Sequence, residues 1–154
     1  MFTLRPLEAA DAPETAVLIR LAFGELIPSL DPAPSAVGET AESVARSLEE
    51  GGGCGAVADR LVGVVLWKPD ARGLYLGRLS VHPQARRQGV AVALVEAAVA
   101  EARRRGLSRV HLGTRLALVS NRALFARLGF VETMQHAHPG YDHPTWVEME
   151  RLLC

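Results

Sequence analysis

The residues of this chain best suited to chemistry by type and spacing are Gln84-Ala-Arg86-Arg87-Gln88-Gly89-Val90-Ala91. They follow an apolar, β-tolerant run from Leu74 to His82 that Pro83 closes, and they open a helical pattern reaching Arg105. A helix start leaves its first amides unpaired at the positive end of the dipole, so a basic glycine turn there is an anion cradle. Amides from Arg87 to Val92 would converge on a pyrophosphate, helped by the Arg86 and Arg87 guanidinium groups. Gly89 and Ala91 are small, which lets phosphates approach the main chain. The P-loop pattern is absent, because the glycine spacing differs and no Lys-Ser/Thr pair follows. So is the dinucleotide fingerprint, since the turn has one glycine and its strand is the fourth.

The elements that must hold this turn can be read outward from it. Its helix, Val90 to Arg105, carries Val92, Leu94, Val95, Ala98, Val99 and Ala102, and ends on three arginines and Gly106, where dipole and cap favour them. Upstream, Phe2 to Arg5 reads as a short strand. A helix follows, with Asp11 as cap, Pro13 and Glu14 in its first turn, and Val17, Leu18, Leu21 and Ala22 as its apolar face. Three prolines between Pro28 and Pro34 force a loop. Thr40 to Glu50 reads as a second helix stopped by Gly51, and Cys54–Ala58 and Leu61–Trp67 as a hairpin about Asp59-Arg60. Lys68 to Gly73 reads as a turn. Downstream come a strand over Val110–Thr114, a helix from Ser120 or Asn121 with Leu124, Phe125 and Leu128 inward, and strands over Phe130–Gln135 and Thr145–Leu152. The order implies an α/β fold with a mixed sheet, in one domain over residues 1–154.

Bulk properties narrow the function. Hydrophobic residues make up 49% of the chain and the formal net charge is zero, which suits a globular protein and gives no support for nucleic-acid binding. No apolar run is long enough to span a membrane, and Met1 leads straight into a strand, so the expected address is the cytoplasm. Cys54 and Cys154 lack metal-ligand spacing and are expected to be reduced thiols without a role.

Two motifs taken in order resemble the GNAT N-acetyltransferase superfamily. Leu79-Ser-Val81-His-Pro83 followed by Arg86-Arg-Gln-Gly89-Val-Ala91 is similar to the family's acetyl-CoA signature. Asn121-Arg-Ala-Leu-Phe125-Ala-Arg-Leu128-Gly129-Phe130 is similar to its second motif. The resemblance covers essentially the whole chain, and the opening LRPLEAAD also looks like the family's first strand and helix entry. It implies a splayed central sheet with helices on both faces and acetyl-CoA as cosubstrate, with no metal. By the same resemblance the pantetheine arm would pair with Leu79 and Val81 as an added strand, and the pyrophosphate would lie on Arg86, Arg87, Gln88, Gly89, Val90 and Ala91. Asn121 would face the pantetheine or phosphate, and Phe125 the sulfur.

Strand alternation puts Leu79 and Val81 on one face and Arg78, Ser80 and His82 on the other, which could line an acceptor pocket. Arg78 is read as the holder of an acceptor carboxylate or phosphate, with a plain structural ion pair as the alternative. The chain departs from the family at Phe125, where a tyrosine often protonates the leaving thiolate; Tyr141 is the substitute the sequence offers. Candidates to take the amine's proton are Glu132, His82, His136, His138, Asp142 and His143. Three of the five histidines lie in His136-Ala-His138-Pro-Gly-Tyr141-Asp-His143. No helix aligns them, so a substrate loop, with His138 in it, is preferred to a metal site. The expected activity is acetyl transfer to a primary amine of a small molecule or peptide. A catalytically weak acyl-CoA-binding or sensing module is the main alternative, an unrelated nucleotide-phosphate-binding domain a weaker one, and a homodimer is left open.

Overall fold

The computed structural model describes residues Met1–Cys154. Its elements are β1 (Thr3–Pro6), α1 (Ala12–Gly24), α2 (Ala41–Glu50), β2 (Gly52–Val57), β3 (Leu61–Asp70), β4 (Gly73–Val81), α3 (Val90–Arg104), β5 (Arg109–Arg115), α4 (Val119–Arg127), β6 (Val131–His136) and β7 (Trp146–Leu152). The strands form one sheet in the order β1-β2-β3-β4-β5-β7-β6. Every neighbouring pair is antiparallel except β4 and β5, which α3 joins as a parallel crossover.

Helices cover both faces because the central strands are apolar on both. On β3, Val64 and Leu66 pack with Ala12, Ala16, Leu18 and Ile19 of α1 and with Val44 of α2. Val65, on the opposite face, joins Leu74, Leu76, Val110 and Leu112 beneath Leu94, Val95, Ala98 and Val99 of α3. The continuous run Leu61-Val-Gly-Val-Val-Leu-Trp67 is thus the signature of a strand buried on two sides rather than an alternating one. Deeply buried side chains pack α3 against the sheet and so fix where the turn before it ends.

Three local expectations change. Val17 and Leu21 of α1 are exposed; its buried face is Ala12, Thr15, Ala16, Ile19 and Ala22 with Leu18. Asp11 does not cap α1, because its carboxylate is turned back to the Glu8 amide (2.7 Å) and the Arg5 guanidinium (2.8 Å). The Lys68–Asp70 stretch continues β3, and the turn is closed by Asp70 Oδ1, which accepts from the amides of Arg72 and Gly73. No helix is long and apolar enough to cross a membrane.

Candidate active site

The parallel pairing of β4 with β5 ends almost as soon as it begins. Leu74 pairs with Val110 and Tyr75 with His111, and beyond them the strands separate. β5 stays paired to β7 as far as Arg115, and β4 to β3 as far as Val81, so the two facing edges are left open. The His82 amide donates to the Val62 carbonyl across β3. Alternation along the strand therefore turns the main-chain groups of Val81 and Leu79 toward the open fork.

A cleft of about 1010 Å³ occupies this fork. One end reaches Arg86, Arg87, Gly89 and Ala91; the other reaches Tyr75, Gly77, Arg78, Arg115, His138 and Trp146. Asn121 and Phe125 of α4 line its side. Phe125 is buried edge-on against Phe130, with ring centroids 5.7 Å apart.

At the first end the turn adopts an unusual backbone. Arg87 and Gly89 both have left-handed φ, 64° and 80°, so successive amides curl into a concave nest at the start of α3. A Cβ built on Gly89 would meet nothing within 4 Å, so the turn is open to solvent at this position. Val90 is buried and anchors the first turn of α3. Arg86 is held by Glu25 at 2.5 Å, and the Gln88 side chain does not line the cleft. The open edges of β4 and β5 and this nest fit a ligand with an extended amide-bearing arm and a diphosphate, as coenzyme A has.

The other end brings together some of the expected residues and leaves others outside. Ser80 and Gly77 of β4 face Val64 and Leu66 of β3, so Arg78 and Leu79 together oppose the single residue Val65. This bulge, with Arg78 at φ 57°, interrupts the alternation that groups Arg78, Ser80 and His82: Arg78 and Ser80 line the cleft and His82 does not. Arg78 is neutralised by Glu39 at 2.8 Å. The buried Ser80 hydroxyl donates to the Arg78 carbonyl. His82 lies outside the cleft, where its Nδ1 accepts from the Gln84 amide and Arg60 sits against its Nε2. Glu132 is also outside, exposed and bound by Arg122, which holds its carboxyl below the usual range.

Tyr141 is adjacent to the cleft without lining it. Its hydroxyl donates to Asp31 at 2.5 Å, and that bond raises its pKa. His138 does line the cleft. Its Nδ1 contacts the Thr145 hydroxyl, which also accepts from the His138 amide. When Nδ1–H is the donor, the Nε2 lone pair is left free. Burial first, and the Arg115 cation second, push the imidazole pKa below its ordinary value, so the ring is neutral near pH 7. His136 and His143 are drawn to Glu148 and Asp142, and no group of three potential ligands is placed to hold a metal ion.

Sequence reasoning passed over Tyr75, His111, Arg115 and Trp146. The Tyr75 ring lies over Gly77 and the Trp146 ring over Gly113, flanking the fork. His111 is buried, edge-on to Tyr75, with Nε2 2.9 Å from Asp70. Only the pairing of β4 with β5 and of β5 with β7 brings these residues together.

The same fold recurs in known structures. The ribosomal-protein-S18-alanine N-acetyltransferase of Escherichia coli superposes with a TM-score of 0.79 at 21% identity, over 99% of this chain and 94% of that one. The PaiA N-acetyltransferase of Thermoplasma acidophilum, in complex with coenzyme A, gives 0.79 at 18% identity over 99% of each chain. YncA of Salmonella typhimurium with its cofactor acetyl-CoA gives 0.75 at 19% identity, over 100% of this chain and 95% of that one. No curated protein matches the sequence. Residues 25–130, which include the fork, the nest and α4, match the acetyltransferase (GNAT) family, and the chain belongs to that family.

Proposed function

We propose that the protein, working as one domain over residues 1–154, transfers the acetyl group of acetyl-CoA to a primary amine of a small molecule or peptide. The observation that carries this reading is the fork: two strand edges left unpaired beyond Tyr75 and His111, with the nest beside it. The pantetheine arm lies along Leu79 and Val81 as an added strand, and the pyrophosphate lies on the amides of residues 87–92 with Arg86 and Arg87 alongside. Asn121 lines the pantetheine side, and Phe125 supplies an apolar wall near the sulfur.

The amine attacks the thioester carbonyl directly. A C–N bond forms, the carbonyl oxygen takes up charge, and a main-chain amide at the fork, that of Val81, donates to it. Collapse breaks the C–S bond. Neutral His138 accepts the proton that the nitrogen sheds, through Nε2. Phe125 has no proton to give, and Tyr141 is committed to Asp31, so the departing thiolate is protonated by solvent. A thiol with a pKa near ~8.5 leaves tolerably well without a dedicated acid. The two cysteines are unbridged, which fits a cytoplasmic setting.

Release of free thiol from acetyl-CoA across a panel of primary amines tests the proposal. We expect at least one amine to accelerate release and to appear as its N-acetyl product. Coenzyme A binding in the micromolar range with no acceleration by any amine would instead favour the acyl-CoA-binding module.

A further inference from the structure

Resting on the acyl-transfer reading above, we propose that Arg115 is the anchor for a carboxylate on the acceptor, which is a small amine bearing that carboxylate and an apolar group, as an apolar amino acid does. Five arginines line the cleft, and their circumstances differ. Arg78 is neutralised by Glu39 and Arg86 by Glu25. Arg87 and Arg127 are exposed to solvent. Arg115 alone is half-buried with no carboxylate at ion-pair distance, and burial lowers its pKa. It donates to two carbonyl oxygens, Pro32 at 2.6 Å and Ala33 at 3.3 Å. A guanidinium has five N–H donors, so three remain. Asp31 is near enough for its charge to be felt but lies beyond ion-pair distance, and its Oδ1 accepts from the Tyr141 hydroxyl.

A desolvated cation satisfied only by neutral acceptors is unfavourable until an anion reaches it, and a planar fork of N–H donors suits a carboxylate. Placement favours the acceptor as that anion. Arg115, Gly113 and His111 share one face of β5, and this face meets the fork opposite the side lined by Phe125 and the α3 core. Trp146, paired with Arg115 across β5 and β7, lays its ring over Gly113. The Tyr75 ring over Gly77 faces it across the fork. An amine entering there has an apolar floor for its carbon skeleton, Arg115 for its carboxylate and His138 for the proton it sheds. The sequence had pointed to Arg78 for the anion, but Glu39 already occupies that guanidinium.

The test compares phenylalanine with 2-phenylethylamine, which differ by the carboxylate alone. Calorimetric binding to the protein saturated with CoA reads the anchor without turnover, and acetyl transfer reads the amine chemistry separately. We expect phenylalanine to bind roughly 10–100-fold tighter, the scale of a charge-assisted hydrogen bond. Arg115→Gln should abolish that preference and act on KM more than on kcat, and Arg115→Lys should retain part of it. Equal or tighter binding of 2-phenylethylamine by the wild-type protein overturns the proposal. So does an Arg115→Gln protein that weakens both ligands equally, since Arg115 would then only strap the Pro32–Ala33 loop to β5. Carboxylate-dependent binding without transfer would uphold the anchor and count against the acetyltransferase reading instead.

Discussion

In the proposed reading the phosphate end of the cleft is one contiguous turn, Arg86 to Ala91, whose main chain would meet the ligand. The acceptor end is assembled from side chains on β4, β5, β7, the β6–β7 connection and the loop after α1. Backbone amides in a nest bind any diphosphate of the right reach, so the first end needs small residues and a fixed φ rather than particular side chains. The second end depends on which side chains five segments bring together, and there specificity can vary while the donor stays the same. A single substitution should therefore disable the first end outright and only retune the second.

The sharpest way to break this contrast is Gly89→Val. Position 89 has φ 80°, so a β-branched residue is strained there and would disturb the turn whose amides are assigned to the phosphates. We expect coenzyme A affinity to fall by at least about 100-fold by calorimetry, with a folding loss of only about 1–3 kcal/mol in urea. Folded Gly89→Val protein with unchanged affinity would refute the phosphate assignment.

His138→Gln probes the other end and should spare coenzyme A binding while lowering kcat by about 100-fold, the lower range for loss of a general base. The neutral imidazole is the working form. Activity should therefore fall as pH drops through a midpoint below the ordinary histidine value, since burial and Arg115 depress that pKa. Arg115→Gln removes one of the two causes, so the acid limb should move to higher pH. A limb that stays put in that variant would separate His138 from the rate.

The smallest effect belongs to Tyr141→Phe. The phenol is spent on Asp31 outside the cleft, so kcat should change by less than about threefold, in keeping with loss of one exposed hydrogen bond. A hundredfold loss with unchanged KM would restore Tyr141 as the acid.

Legibility from sequence follows the same division. The nest was readable because its determinants are local: a strand end, Pro83, a glycine and a helix start lie within ten residues of one another. The order of elements was readable because α3 and β3 carry strong apolar patterns. The bulge at Arg78 was not, since nothing in Gly77-Arg78-Leu79 announces an extra residue, and of Arg78, Ser80 and His82 only the first two reach the cleft. Arg115, Tyr75 and Trp146 gave no signal either. Each is an ordinary strand residue until the pairing of β5 with β7, and the brief pairing of β4 with β5, sets them around one opening.

Amide hydrogen exchange with two ligands tests the fork and nest together. Coenzyme A should slow exchange in two segments, Leu79–Val81 on β4 and residues 87–92 at the start of α3. ADP, which has a diphosphate but no pantetheine arm, should slow only the second. Protection of neither segment by coenzyme A, or protection of Leu79–Val81 by ADP as strong as by coenzyme A, would contradict the assignment of the open edge of β4 to the pantetheine.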